Sequence, residues 1–277
     1  MVEIAICLAV VGFALVAIMR VLPIGMHVQQ NNREETIINQ DASVILESIR
    51  NGVRSGGDLT NYIYAITNYW TLFSSPNNIV SQGTNGYAYT GSFIYGEPAP
   101  RFMLTNNARI IGLLSTPEFL CANGFTPTNN LFSPGGVAGN GGYSNHIYAY
   151  VRSLSGPAVE KPPQDNPTLL EDSFSYRILC VNAPVATDTN QFGQHYFGQA
   201  NEPDQQIFDR ELSANLHELR LTFAWPLLPN GAVSSGMGTL PPMTQRTMVA
   251  GGITVTNTQM YGQYLFYYQS QSFNNVP

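Results

Sequence analysis

The chain has 277 residues, a formal net charge of −6 and only 11% charged residues, against about a quarter in an average globular protein. This acidic balance, with Lys161 as the single lysine, excludes a basic surface for nucleic acid. Asn, Gln, Ser, Thr, Gly and Tyr are abundant instead. The predicted surface is polar but weakly charged, which suits an exported protein or one surrounded by copies of itself.

From Met1 to Met19 the chain reads MVEIAICLAVVGFALVAIM, and Glu3 is its one charge. As a helix this segment is about 28 Å long, close to the roughly 30 Å hydrocarbon core of a bilayer. Apolar character continues through VLPIGM to Met26. The next stretch, HVQQNNREETIINQDASVILESIRNGV, is polar and free of proline. Its residues Ile38, Ala42, Ile45, Ile49 and Val53 recur at three- and four-residue steps, one face of a helix. The prediction is one long helix, apolar all round over residues 1–26 and amphipathic over residues 27–54. A secretory signal peptide fits poorly, because no basic n-region precedes the apolar run and no small-x-small site closes it. Gly12, Pro23 and Gly25 are weak points, so a kink or non-helical segment is expected between Gly12 and Gly25, just before Pro23.

Residues 55–277 are expected to form a globular, mainly β domain. Gly52, Gly56 and Gly57 end the long helix, with Arg50 and Arg54 near its negative end. Asp58 then caps a second helix, in which Leu59, Ile63, Ile66 and Trp70 share a face with Phe73 close by. From Ser74 the signals change to turns and strands. YAYTGSFIY alternates aromatic and small residues as a strand does. ARIIGLLS reads as a strand or as a buried turn of helix. Residues 121–145 read as loop, including the glycine-rich GVAGNGG at Gly136–Gly142. HIYAYVRSL is a strand with Ile147, Ala149 and Val151 on one side. SFSYRILCVNA is another, and LHELRLTFAWPLL alternates Leu219, Leu221 and Phe223 with Arg220, Thr222 and Ala224. TMVAGGITV and QYLFYYQSQSF complete the strands, the last with Tyr261, Tyr264, Phe266, Tyr267 and Tyr268 as sheet core. Strands separated by turns imply an antiparallel sheet. The expected class is α+β: a long N-terminal helix laid on an antiparallel sheet with large loops.

No catalytic signature is present: no GxSxG elbow, HExxH or phosphate loop. The chain is therefore not read as an enzyme. His27, His146, His195 and His217 are scattered without metal spacing. No cofactor is expected, save that hard-oxygen ligands in the loops are able to hold calcium. These are Asp165, Asn166, Glu171 and Asp172; Asp188 and Asn190; and Glu202, Asp204 and Asp209. None follows an EF-hand pattern. Cys7 reads as a buried thiol in the apolar helix. Cys121 and Cys180 are either a disulfide, the expectation for an exported chain, or two separate buried thiols.

Three features of the first fifty residues resemble the type IV pilins and the pseudopilins of type II secretion. They are the lone Glu3 just inside an apolar N-terminus, Gly12 nine residues after it, and Pro23 interrupting the apolar helix. In that family the glutamate stands fifth in the processed chain, two positions later than here, and the proline falls about three residues earlier. The resemblance implies a filament subunit whose Glu3 pairs with the free N-terminal amine of a neighbour, at the position of Met1. A buried acid costs several kcal/mol unless paired, so such a pair would set the axial register of one subunit on the next. It further implies a homo-oligomeric filament outside the cell or on its surface, an inner-membrane location before assembly, and a pilus or type II secretion assembly machinery as partner. Within the family a pseudopilin is the alternative to a pilin, and a membrane-anchored surface domain is the alternative outside it.

Overall fold

The computed structural model describes residues 2–52, 59–75, 78–89, 102–123, 126–127, 142–153, 174–185, 212, 214–228, 231–234, 241–258, 263–269 and 272–273. Helix α1 runs over Val2–Asn51 without interruption. The break expected between Gly12 and Gly25 is not there. Proline removes one hydrogen bond, whereas unwinding the helix would free further carbonyls among apolar side chains that offer no donors. The predicted stripe is borne out where it is described: Ile38, Ala42, Ile45 and Ile49 are buried. Val53, Arg54, Gly56, Gly57 and Asp58 lie outside the described residues. Gly52 closes the helix in the left-handed region, at φ 58°.

The chain forms two compact units, Met1–Gln40 and Asp41–Pro277. The second includes the last turns of α1, whose Asp41, Ala42, Ile45, Ser48 and Ile49 are buried.

Residues 59–75 are not the helix that their apolar spacing predicts. A 3-10 turn at Leu59–Asn61 leads into strand β1, Ile63–Ser75. Its Tyr, Ile, Thr and Trp residues suit a pleated surface as well as a helix face. Pairing on both edges decides the matter. β1 is antiparallel to β2 (Asn78–Ala88) on one side and to β6 (Gly142–Arg152) on the other. Between β2 and β6 come β3 (Phe102–Met103), helix α2 (Asn107–Leu114), β4 (Phe119–Asn123) and β5 (Thr126–Pro127). The ambiguous ARIIGLLS is thus helical. Asn106 caps it, its side chain accepting the Arg109 N–H at 2.8 Å.

The sheet continues through β7 (Ser175–Pro184), β8 (Leu216–Ala224) and β9 (Met243–Ala250). The order is β3-β2-β1-β6-β7-β8-β9, with β4 on β6 and β5 on β4. All ladders in it are antiparallel except the short β2–β3 pair, so the sheet is mixed. TMVAGGITV is two strands rather than one. Gly251, at φ 121°, breaks it into β9 and β10 (Gly252–Thr258). β10 pairs with β11 (Gln263–Gln269) in a separate two-stranded sheet.

Inward residues alternate as predicted: Ile147, Ala149 and Val151 on β6, Ile178 and Cys180 on β7, and Leu219, Leu221 and Phe223 on β8 are all buried. Phe266, Tyr267 and Tyr268 on β11 join this core. α2 lies against β11 so closely that a Cβ on Gly112 would stand 2.9 Å from Leu265 and Tyr267.

Candidate functional site

The first candidate is the N-terminal part of α1. Fifteen large apolar side chains between Val2 and Val28 are exposed, Phe13 to 81%. They lie on every side of the helix, so no single packing partner covers them. The helix is long and apolar enough to cross a membrane. Glu3 lies in its first turn and shares a shallow surface with Ile4, Cys7, Leu8 and Val11. The helix dipole favours a carboxylate there by about 0.3–1 kcal/mol. That is less than the several kcal/mol needed to bury one unpaired. The first basic side chain along the helix is Arg20, about 25 Å further on. Glu3 must therefore find a cation elsewhere if this segment is buried. Gly12 and Gly25 face open space, with nothing within 4 Å of where a Cβ would stand. Pro23 is within the unbroken helix, and Met1 lies outside the described residues.

The second candidate is the place where the helix end meets the sheet. Asp41 is 1% exposed and accepts a 2.8 Å hydrogen bond from the Tyr176 hydroxyl, itself fully buried. Burial, then the Asp41 charge and hydrogen bond, hold the Tyr176 hydroxyl well above the usual tyrosine range. Tyr176 is wedged between Phe174 and Phe223, with ring centroids 5.9 and 5.8 Å away. Further along the same face Asn182 donates to the Ser115 carbonyl at 2.7 Å, and the His217 ring lies 5.6 Å from that of Tyr268. Burial lowers the His217 pKa to about 4, a backbone hydrogen bond at Ala214 opposing the shift. The Tyr268 carbonyl packs against Gly52, where a Cβ would come within 2.8 Å of its oxygen. Of these contacts, Asp41 with Tyr176 and Gly52 with Tyr268 hold the end of α1 on the domain.

Sequence reasoning did not single out Asp41 or Tyr176. The signal was there: Asp41 interrupts the apolar stripe between Ile38 and Ala42, and Tyr176 shares the inward phase of Ile178 and Cys180. A charged residue in such a phase needs a partner.

The cysteines are a correction. Cys180 is a free, buried thiol, and burial pushes its pKa up. The ladders place Cys180 opposite Ile147 on β6 but Cys121 opposite Gly142. Five residues at about 3.4 Å each separate them by far more than the roughly 7 Å that a disulfide spans. Cys7, expected to be buried, is exposed in the single chain. His27 and His146 are exposed and His217 is buried; His195 and all the candidate calcium ligands lie outside the described residues. Among the described residues no group of three or more His, Cys, Asp or Glu is placed to hold a metal ion.

Comparison with known protein families, curated proteins and solved structures gives no match to this chain.

Proposed function

We propose that this chain is a structural subunit of an extracellular, type IV pilus-like filament, assembled through residues 1–26 of α1. One observation carries the reading. A continuous 50-residue helix is built into a folded domain at its C-terminal end, yet exposes apolar side chains on all sides at the other. Full burial of a large apolar side chain is worth about 1.5–3 kcal/mol, so fifteen half-exposed ones supply a gross drive on the order of 20 kcal/mol. Identical helices packed around an axis would use all of it. Glu3 then pairs with a neighbour's N-terminal amine and sets the register, and the work of the protein is assembly rather than catalysis.

A membrane-anchored surface domain would use the same apolar area in lipid. It is the second reading, because the helix has the length to span a bilayer. Lipid alone gives no partner to Glu3. Electron microscopy of purified full-length protein separates the two. Long uniform fibres are expected from the wild type, and Glu3→Ala is expected to abolish or slow their formation while the domain stays folded. A dispersed, detergent-soluble monomer would instead support the anchored domain. Rare fibres with a secretion defect would point to a pseudopilin.

A further inference from the structure

The face of the sheet opposite the α1 contact carries a second, smaller cluster. Tyr150 is fully buried there with Ala65 and Ala88, and Tyr64, Tyr148 and Leu227 pack over it. Two arginines lie on this cluster. The Arg152 guanidinium stacks 4.5 Å above the Tyr64 ring, and that of Arg177 stacks 4.9 Å above Tyr148. Tyr148 is in turn held edge-on by Tyr69 at 5.6 Å. Arg152 pairs across the ladder with Ser175, and Arg177 with Tyr150, so the arginines are diagonal neighbours on one face.

Like charges so placed repel each other unless an anion lies between them. Elsewhere on this face the arginines have acids. Arg220 lies 3.9 Å from Glu118 and from Glu218, and Arg246 lies 3.6 Å from Glu218. Arg152 and Arg177 form no ion pair with a described residue, and β1, β2, β6 and β7 contain no Asp or Glu. Each stacked guanidinium has one face on a tyrosine ring, and among the described residues no carboxylate pairs with its hydrogen-bonding edge, the side that receives a carboxylate in a forked pair.

We propose that Arg152 and Arg177 form a docking site for acidic side chains of a second copy of this chain. The inference rests on the filament reading. Charge complementarity selects the occupant. The chain holds 18 Asp and Glu against 12 Lys and Arg, so subunits of net charge −6 repel unless acids of one meet bases of the next. A sugar polymer or a nucleic acid would need open aromatic faces to stack on, and the guanidinium groups cover those of Tyr64 and Tyr148.

The test compares full-length wild type with an Arg152→Gln, Arg177→Gln variant and an Arg152→Lys, Arg177→Lys variant. Fibre yield is read by sedimentation and electron microscopy at low and high salt, and melting is followed on the detergent-solubilised monomer. The expected result is a salt-sensitive wild-type yield, a yield lower by roughly tenfold in the Gln variant, and most of the yield kept in the Lys variant. Equal yield and equal salt response in wild type and Gln variant overturn the proposal. So does equal loss in the Gln and Lys variants, since packing rather than charge then carries the effect. A large fall in monomer melting in the Gln variant alone also overturns it, because the charges are then matched within one chain. A wild type that forms no fibres removes the filament reading itself, and this docking site with it.

Discussion

Tyr176→Phe tests how the helix end is held on the sheet. The substitution removes one oxygen and keeps the ring between Phe174 and Phe223. What is lost is the 2.8 Å hydrogen bond to the carboxylate of Asp41, in a site where both residues are buried. A hydrogen bond to a charged group is worth about 1.5–3 kcal/mol. For a domain of this size, 1 kcal/mol moves the melting temperature by about 2–4 °C, so the expected fall is about 3–12 °C. The assay is thermal unfolding of the full-length chain in detergent, followed by near-ultraviolet circular dichroism. Asp41→Asn and the double variant complete a cycle, in which strong coupling between the two positions is expected. The Tyr176 hydroxyl has its pKa raised in the fold. Its contribution is therefore present below pH about 10 and lost as the pH rises above that, so the variant should show a flatter alkaline limb. A Tyr176→Phe change within about 0.5 kcal/mol of wild type, or strict additivity with Asp41→Asn, would refute the reasoning.

His217 offers a second handle on pH. Its folded pKa of about 4 lies below the ordinary 6.5, so its contribution is fully present above pH 6.5 and lost as the pH falls to about 4. The loss should be about 3 kcal/mol at 1.36 kcal/mol per unit, measurable by urea unfolding across that range and absent in His217→Gln. Gly52→Ala should destabilise by about 1–3 kcal/mol, because the new Cβ meets the Tyr268 carbonyl at 2.8 Å in a left-handed backbone; wild-type urea stability would contradict this. Cys180 should resist thiol reagents in the native protein and react after denaturation without reductant. Failure to label the denatured chain would show a disulfide after all.

The sequence was sufficient wherever one local pattern had one solution. An all-round apolar run followed by a three- and four-residue stripe can only bury itself as a helix, and α1 follows it from Val2 to Asn51. Alternation on β7 and β8 likewise marked which residues face inward, since a one-residue slip would turn them to the other face. The α+β class followed from those two periods. Tertiary structure decided the rest. The residues of β1 satisfy a helical spacing nearly as well as an alternating one, and hydrogen bonds to β2 and β6, distant in sequence, made them a strand. Gly251 divided one apparent strand into two because its positive φ turns the chain out of the first sheet. The disulfide failed for the same non-local reason: whether Cys121 can reach Cys180 depends on strand register, which spacing along the chain does not encode. The pairing of Asp41 with Tyr176 joins positions 135 residues apart. The sequence marks each as a polar residue in an inward phase, but only the laying of the helix on the sheet brings a donor to an acceptor.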